Sequence, residues 1–359
     1  ILEASVGANS LDWQMVQPLI ADSTQVISYD RAGNGWSEKA DTSRTPENIA
    51  TDLHMMLKNA DIAPPYFTPT TCNTKGLTPA GVDLMQRLMT KGIMIDIDHM
   101  SSKALDESLD LATAASYPLV ASHGQFFELH PQLYGDPTTP GVAGQAGRHE
   151  RMRTREQLFR MRDLGGLVAL LTLDGQQTLQ HLPTPSSGFS VIESNCRQST
   201  KNWIQGYQYA VEVMQGPVAL GTDFNGVAAH TGPRFGSAGC GGEDGVVDLT
   251  ASRKEERSAQ ERAGNQLVYP FTNQYGTFDR QVTGQQTYDF NTDGLAHIGL
   301  LPDMLADIKQ LGMSDANMQP LYSSANRYIE VWETALGTTC DIKDIGPSDV
   351  IFKDSFELE

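Results

Sequence analysis

The sequence predicts a parallel α/β fold, on three observations. Short apolar runs at Ile93–Ile97, Leu119–Ala121, Leu167–Thr172 and Val218–Leu220 read as buried strands. Helix-forming stretches alternate with them, which is the pattern of strands joined by crossover helices. The strands run into polar residues with chemistry to offer: Asp98-His99, Ser122-His123 and Asp223.

The elements follow in order. Ile1–Ala4 is a short strand, Leu11–Ile20 an amphipathic stretch, and Val26–Tyr29 a strand ending at Asp30. Arg31–Ser37 is turn-rich, and Thr45-Pro46-Glu47 opens a helix with proline in its first turn. That helix runs to about Asn59 and is broken at Ala63-Pro64-Pro65-Tyr66. Thr78-Pro79 starts a second helix, ending near Gly92. Ser101-Ser102 can cap a third over Lys103–Ala114. Arg155–Leu164 and Trp203–Met214 are helical, and residues 224–300 are loop-rich with a charged helix near Arg253–Ala263. Helices at Leu301–Leu311, Asp315–Tyr322 and Asn326–Leu336 follow.

A chain of 359 residues suffices for one large α/β barrel or two ordinary domains. Its net charge of −18 repels phosphate backbones, so nucleic acid is not an expected partner, whereas cationic solutes and divalent metals are favoured. No apolar run approaches the roughly 20 residues of a membrane span. No signal peptide is visible, but the chain opens Ile1-Leu2-Glu3 without methionine, which leaves room for a leader ahead of it. The cysteines are Cys72, Cys196, Cys240 and Cys340, with no CxxC spacing for a zinc knuckle. Their even number is compatible with two disulfides in an exported protein and equally with free thiols. Any disulfide is expected between Cys196 and Cys240, which flank the strand near Asp223 in long loops.

Residues 1–66 resemble the start of an α/β-hydrolase, most specifically through Tyr29-Asp30-Arg31-Ala32-Gly33-Asn34-Gly35-Trp36-Ser37, a YDRxGxGxS run. The resemblance stops where that family's nucleophile elbow would begin, and no GxSxG occurs anywhere in the chain. No serine-hydrolase chemistry is expected.

Residues from about 72 to 335 resemble the membrane (renal-type) dipeptidase family of metal-dependent hydrolases. The matching stretches occur in family order. Gly76–Gly81 leads into a helix, and Gly92–Ser101 (GIMIDIDHMS) matches a "GMLIDLSHVS" strand end. Pro118–His123 (PLVASH) matches "PVIASHS", and Arg151–Leu158 (RMRTREQL) resembles "RNLTDEQL". Gly165-Gly166-Leu167-Val168 follows, and Leu220–Gly226 (LGTDFNG) matches "IGSDFDG".

The resemblance implies a (β/α)8 barrel with a binuclear, usually zinc, site at the strand C-termini. It assigns His99 and His123 as metal ligands and Asp223 as the carboxylate that orients or deprotonates the attacking water. Arg151 is the basic residue that holds a substrate carboxylate. The chain departs from the family in two ways. It has no HxD pair, and the segment that should supply a metal-bridging glutamate is the hydrolase-like one. The expectation is therefore an incomplete barrel over residues 67–340, after an α/β-hydrolase-like fragment at 1–66 and before a tail at 341–359. It would hold one zinc ion at most and act on a small-molecule or dipeptide-like substrate, with activity impaired by the missing HxD pair and bridging glutamate. A non-catalytic half-barrel and an α/β-hydrolase lacking its nucleophile are the alternatives.

Plainer readings stand beside each residue. A strand-end histidine can be structural, Asp223 can be a helix cap, and Arg151 lies in a charge-rich run, Arg148–Arg155, that can be a solvated helix start. Asp98 and Asp223 are the nearest candidates for a third ligand. Asp289-Phe290-Asn291-Thr292-Asp293-Gly294 imitates half of a calcium loop, but its twelfth position is Leu300, so Asx turns explain it more simply. The closing Val350–Glu357 resembles tails of some exported bacterial proteins, which points to an exported location.

Overall fold

The computed structural model describes residues 2–3, 9–22, 26–39, 52–53, 55–56, 75–129, 152–172, 179–224, 230–241, 264–273 and 276–337. At the N-terminus, β1 (Leu2–Glu3) pairs in parallel with β2 (Ser28–Tyr29). The amphipathic stretch between them is split into a 3-10 turn, Ser10–Trp13, and α1 (Gln17–Ala21). Pro18 explains the break, because proline is tolerated only in a helix's first turn. Asp30 organises the YDRxGxGxS loop: its carboxylate accepts from Ser10 N (2.5 Å) and Trp36 N (3.0 Å), and Ser37 Oγ donates to its carbonyl (2.6 Å). These bonds, first that from Trp36, hold the Asp30 carboxyl below its ordinary range. The helices expected at Thr45–Asn59 and Arg253–Ala263 lie largely or wholly outside the described residues.

From residue 75 the α/β alternation is regular. α2 (Pro79–Thr90) is capped by Thr78, whose Oγ1 accepts from Gly81 N at 3.1 Å. β3 (Ile95–Asp96) follows, then α3 (Ser102–Ala115), capped by Ser101. β4 (Leu119–Gly124) leads through residues 125–154 to α4 (Arg155–Asp163), which opens with a Thr154–Gln157 capping box. β5 (Leu167–Leu171), α5 (Thr200–Met214) and β6 (Ala219–Gly221) complete the series. The strands form one parallel sheet in the order β3–β4–β5–β6, with Ile95 opposite Leu119, Val120 opposite Leu167 and Ala169 opposite Ala219. Among the described residues this sheet has four strands and is open, so a closed barrel is not formed by them.

The sheet is covered on both faces, as parallel sheets are. Leu119, Ala121, Val168 and Leu170 pack in the main core with Leu105 and Leu109 of α3, Leu158 and Met161 of α4, and Ile204 and Tyr207 of α5. The residues expected to be loop-rich contain two exposed hairpins, β7–β8 (Phe271–Asn273, Gly276–Phe278) and β9–β10 (Val282–Thr283, Gln286–Thr287). Their short, mostly exposed strands lack the apolar alternation that marks a strand in sequence. α6 (Phe290–Asp293) begins where Asp289 accepts from Asn291 N at 3.0 Å, the Asx turn expected there, and Asp289 also pairs with Arg280.

The chain then forms α7 (Leu301–Gln310), α8 (Asp315–Tyr322) and α9 (Ser324–Leu336). Val331 of α9 covers Val120 and Leu167 on the sheet's second face. Two covalent or ionic ties fasten the loops after β5 and β6. Cys196 and Cys240 form the expected disulfide, and Arg234 pairs with Asp307 of α7 in a fully buried salt bridge. Cys72 and Cys340 lie outside the described residues. Among the described residues, no helix is long and apolar enough to cross a membrane.

Candidate metal centre

The site begins at the C-terminal ends of β3 and β4, two adjacent strands. β3 is short because its pairing with β4 ends at Asp96, and the backbone then turns so that His99 adopts φ +65°. Left-handed backbone is uncommon for a residue with a Cβ, though histidine tolerates it better than most. It swings the His99 imidazole across the strand tops towards His123. The Nε2 atoms of His99 and His123 lie 2.7 Å apart, with ring centroids separated by 4.7 Å.

Around this pair are two carboxylates. Asp96 accepts from Ser122 Oγ (2.5 Å), Ser122 N (3.2 Å) and Asp98 N (3.0 Å). Asp98 Oδ2 accepts from His123 N at 2.6 Å and lies 3.6 Å from His123 Nδ1. Its Oδ1 accepts from Arg153 Nη2 at 2.6 Å. Ser122 Oγ sits 2.7 Å from His123 Nδ1. Donor atoms of Asp96, Asp98 and His123 all lie within 4.8 Å of one another.

The two nitrogens of His123 therefore face different surroundings. Nδ1 faces a hydroxyl and a carboxylate, and Nε2 faces His99. A ring N–H directed at a carboxylate or hydroxyl fixes the tautomer and leaves the other nitrogen as a ligand. Two imidazole nitrogens on a tetrahedral zinc at about 2.0–2.1 Å stand roughly 3.3 Å apart, so a parting of about 0.6 Å from the present contact admits the ion. The donor set, neutral imidazoles with carboxylates at hand, suits zinc. On both counts these residues fit a divalent metal.

Asp223 follows β6 in the left-handed region, at φ +48°. β6 passes close to the pair: a Cβ on Gly221 would lie 2.0 Å from Ser122 O and 3.0 Å from His123 Cα. Only glycine permits this approach, and it brings the chain that carries Asp223 to the top of β4. Beside Asp223, His230 stacks on Phe224 (centroids 3.7 Å apart), and its Nδ1 lies 3.2 Å from Thr172 Oγ1. Burial holds the His230 imidazole below its ordinary pKa, against the opposing pull of Asp223. Arg151 lies outside the described residues.

The structure thus brings His99 and His123 together, with Asp98 beside them. Sequence reasoning missed Asp96, Arg153 and His230. Asp96 had a usable signal, since it shares a strand end with His99; Arg153 and His230 had none, because only folding brings them to this place.

Comparison with known proteins agrees with the motifs. The sequence model of the family described as "Membrane dipeptidase (Peptidase family M19)" matches residues 57–133, which include both histidines. The resemblance read from the motifs is thereby borne out over that stretch. A protein of Klebsiella pneumoniae, named "Uncharacterized protein in pqqA 5'region", is 30% identical over 159 residues, covering 42% of this chain and 45% of that protein. "Uncharacterized protein YqjL" of Bacillus subtilis (strain 168) is 36% identical over 67 residues, covering 19% of this chain and 26% of that protein. The chain thus spans less than half the length of either of these curated relatives.

Among solved structures, an amidohydrolase from Pseudomonas aeruginosa aligns with a TM-score of 0.41 at 16% identity, over 76% of this chain and 62% of that one. A metallopeptidase from Rhodobacter sphaeroides, liganded with a phosphinate mimic of the dipeptide L-Ala-D-Ala, aligns with a TM-score of 0.39 at 17% identity, over 75% and 50% of the two chains. Overall likeness of this degree is weak.

Proposed function

We propose that residues 67–340 are the catalytic unit of a metal-dependent hydrolase of the dipeptidase type, cleaving an amide bond in a dipeptide-like substrate. The observation that carries this is the 2.7 Å approach of His99 Nε2 to His123 Nε2, at adjacent strand ends within motifs of that family. Zinc bound there would supply a Lewis acid and lower the pKa of its water towards roughly 7.

The chain's own residues do the rest. His99 and His123 would hold the ion, their Nε2 atoms already facing each other. Ser122 and Asp98, on the Nδ1 side of His123, keep that tautomer in place. Asp223 takes the proton from the attacking water and returns it to the leaving amine. Arg151 anchors the substrate carboxylate. With no HxD pair in the chain, one tightly held ion is expected rather than two.

Residues 1–66 and 341–359 are read as an attached α/β-hydrolase-like fragment and a tail. An exported location is supported by the Cys196–Cys240 disulfide, since such bonds persist in oxidising compartments.

The deciding experiment is metal content by mass spectrometry after dialysis, for wild type, His99→Ala and Asp223→Asn, alongside dipeptide hydrolysis. One zinc in the wild type, loss in His99→Ala, and retained zinc with lost turnover in Asp223→Asn is the expected pattern. Unchanged zinc in His99→Ala refutes the ligand assignment, and two ions in the wild type refute the single-metal reading.

A further inference from the structure

Asp98 and Arg153 are the two halves of a buried ion pair whose side chains are 5% and 0% exposed. The backbone of Arg153 is pinned beside the end of β4, its N–H donating to Gln125 O (2.8 Å) and its carbonyl accepting from Phe127 N (3.0 Å). From there the guanidinium crosses under the site, and Nη2 donates to both Asp98 Oδ1 (2.6 Å) and Ile97 O (2.8 Å). The second oxygen of Asp98 accepts from the backbone N–H of His123 at 2.6 Å. A continuous path thus runs from a fixed backbone through Arg153 and Asp98 to the main chain of His123. It also grips the residue next to His99, whose φ of +65° must be held for its ring to reach across.

We propose that Asp98 and Arg153 are a positioning pair for the His99–His123 centre, and that Asp98 is not a metal ligand. This rests on the metal-centre reading above. Both oxygens of Asp98 already have charged or short-range donors, and the guanidinium competes with any cation for the same carboxylate. Asp96, whose protein partners are neutral hydroxyl and amide donors, is the carboxylate suited to a cation.

The test is zinc affinity of the full chain by chelator competition, with thermal unfolding in parallel, for Asp98→Ser, Arg153→Leu, Arg153→Lys and the double variant Asp98→Ser/Arg153→Leu. Each of the first two leaves one buried charge uncompensated and is expected to weaken zinc binding about 10–100-fold, the usual effect of losing an outer partner of a ligand. The double variant removes both charges, and the serine hydroxyl can accept from His123 N. It is expected to bind zinc more tightly than either single variant, recovering at least about half of the loss on a logarithmic scale.

A double variant no tighter than Asp98→Ser overturns the proposal in favour of Asp98 as a ligand. Lower thermal midpoints with wild-type zinc affinity overturn it in favour of a purely structural pair. Should Arg153→Leu not fold, Arg153→Lys decides: weakened zinc at unchanged stoichiometry supports positioning, and wild-type affinity overturns it. Failure of the metal-centre reading is separate, since it appears as zinc binding unmoved by His99→Ala.

Discussion

His99 Nε2 and His123 Nε2 share a 2.7 Å contact across the tops of two adjacent parallel strands. One ring must donate and the other accept in that contact, so both Nε2 atoms would face a bound ion only with the donor ring's proton moved to its Nδ1. Removing either ring leaves an ion with one imidazole. His99→Ala and His123→Ala are each expected to weaken zinc binding at least about tenfold, and the double variant to be little worse than either alone, because the rings act as a unit. Isothermal titration with zinc measures this. A single variant with wild-type affinity contradicts it.

Gly221 is the tightest point of the site's frame. Any Cβ there meets the backbone oxygen of Ser122 at 2.0 Å, and backbone cannot swing aside as a side-chain tip can. Gly221→Ala is expected to cost about 1–3 kcal/mol, as forced overpacking does, and to weaken zinc binding as well. Denaturant unfolding and a zinc titration together check this. An alanine variant with unchanged midpoint and zinc affinity would be inconsistent with the close approach of β6 to β4.

The disulfide joins cysteines 44 positions apart, both fully buried. Closing a loop of that length removes freedom from the unfolded chain, for a contribution of about 2–4 kcal/mol. Cys196→Ser/Cys240→Ser is expected to unfold at lower temperature by that equivalent, with the sheet retained because the cysteines pack with Phe235 in a small cluster of their own. Calorimetry tests the first part and far-ultraviolet circular dichroism the second.

His181 ties the segment after β5 to α5 through Glu212, with Nε2 to Oε2 at 2.9 Å. Burial lowers its pKa from 6.5; Glu212 pulls the other way and Arg155 adds to the lowering. The folded form thus releases its proton more readily than the unfolded form. Below 6.5 the unfolded chain binds the extra proton, so stability falls as pH drops through 6.5 and levels off once the folded form is also protonated. His181→Gln is expected to flatten this part of the profile. Thermal midpoints of both proteins between about pH 5.5 and 7.5 report it, and parallel profiles would remove His181 as the cause.

Local chemistry made several features legible in the sequence. Strand runs at residues 93–97, 119–121, 167–172 and 218–220 carry enough apolar residues to declare themselves, and Thr78 and Ser101 announce helix starts through their capping oxygens. His99, His123 and Asp223 could be nominated because the family resemblance points to them and each follows such a strand. What the sequence could not state was distance. That β6 leans onto β4 depends on the absence of one Cβ at Gly221. That Arg153 reaches Asp98, 55 positions earlier, depends on a backbone bridge after β4 that no periodicity encodes. Tertiary structure alone decided that Asp98 is neutralised by a buried guanidinium while Asp96 is not. Partners far apart in sequence leave no local pattern, and a charge is tolerated inside a protein only where folding delivers its counterpart.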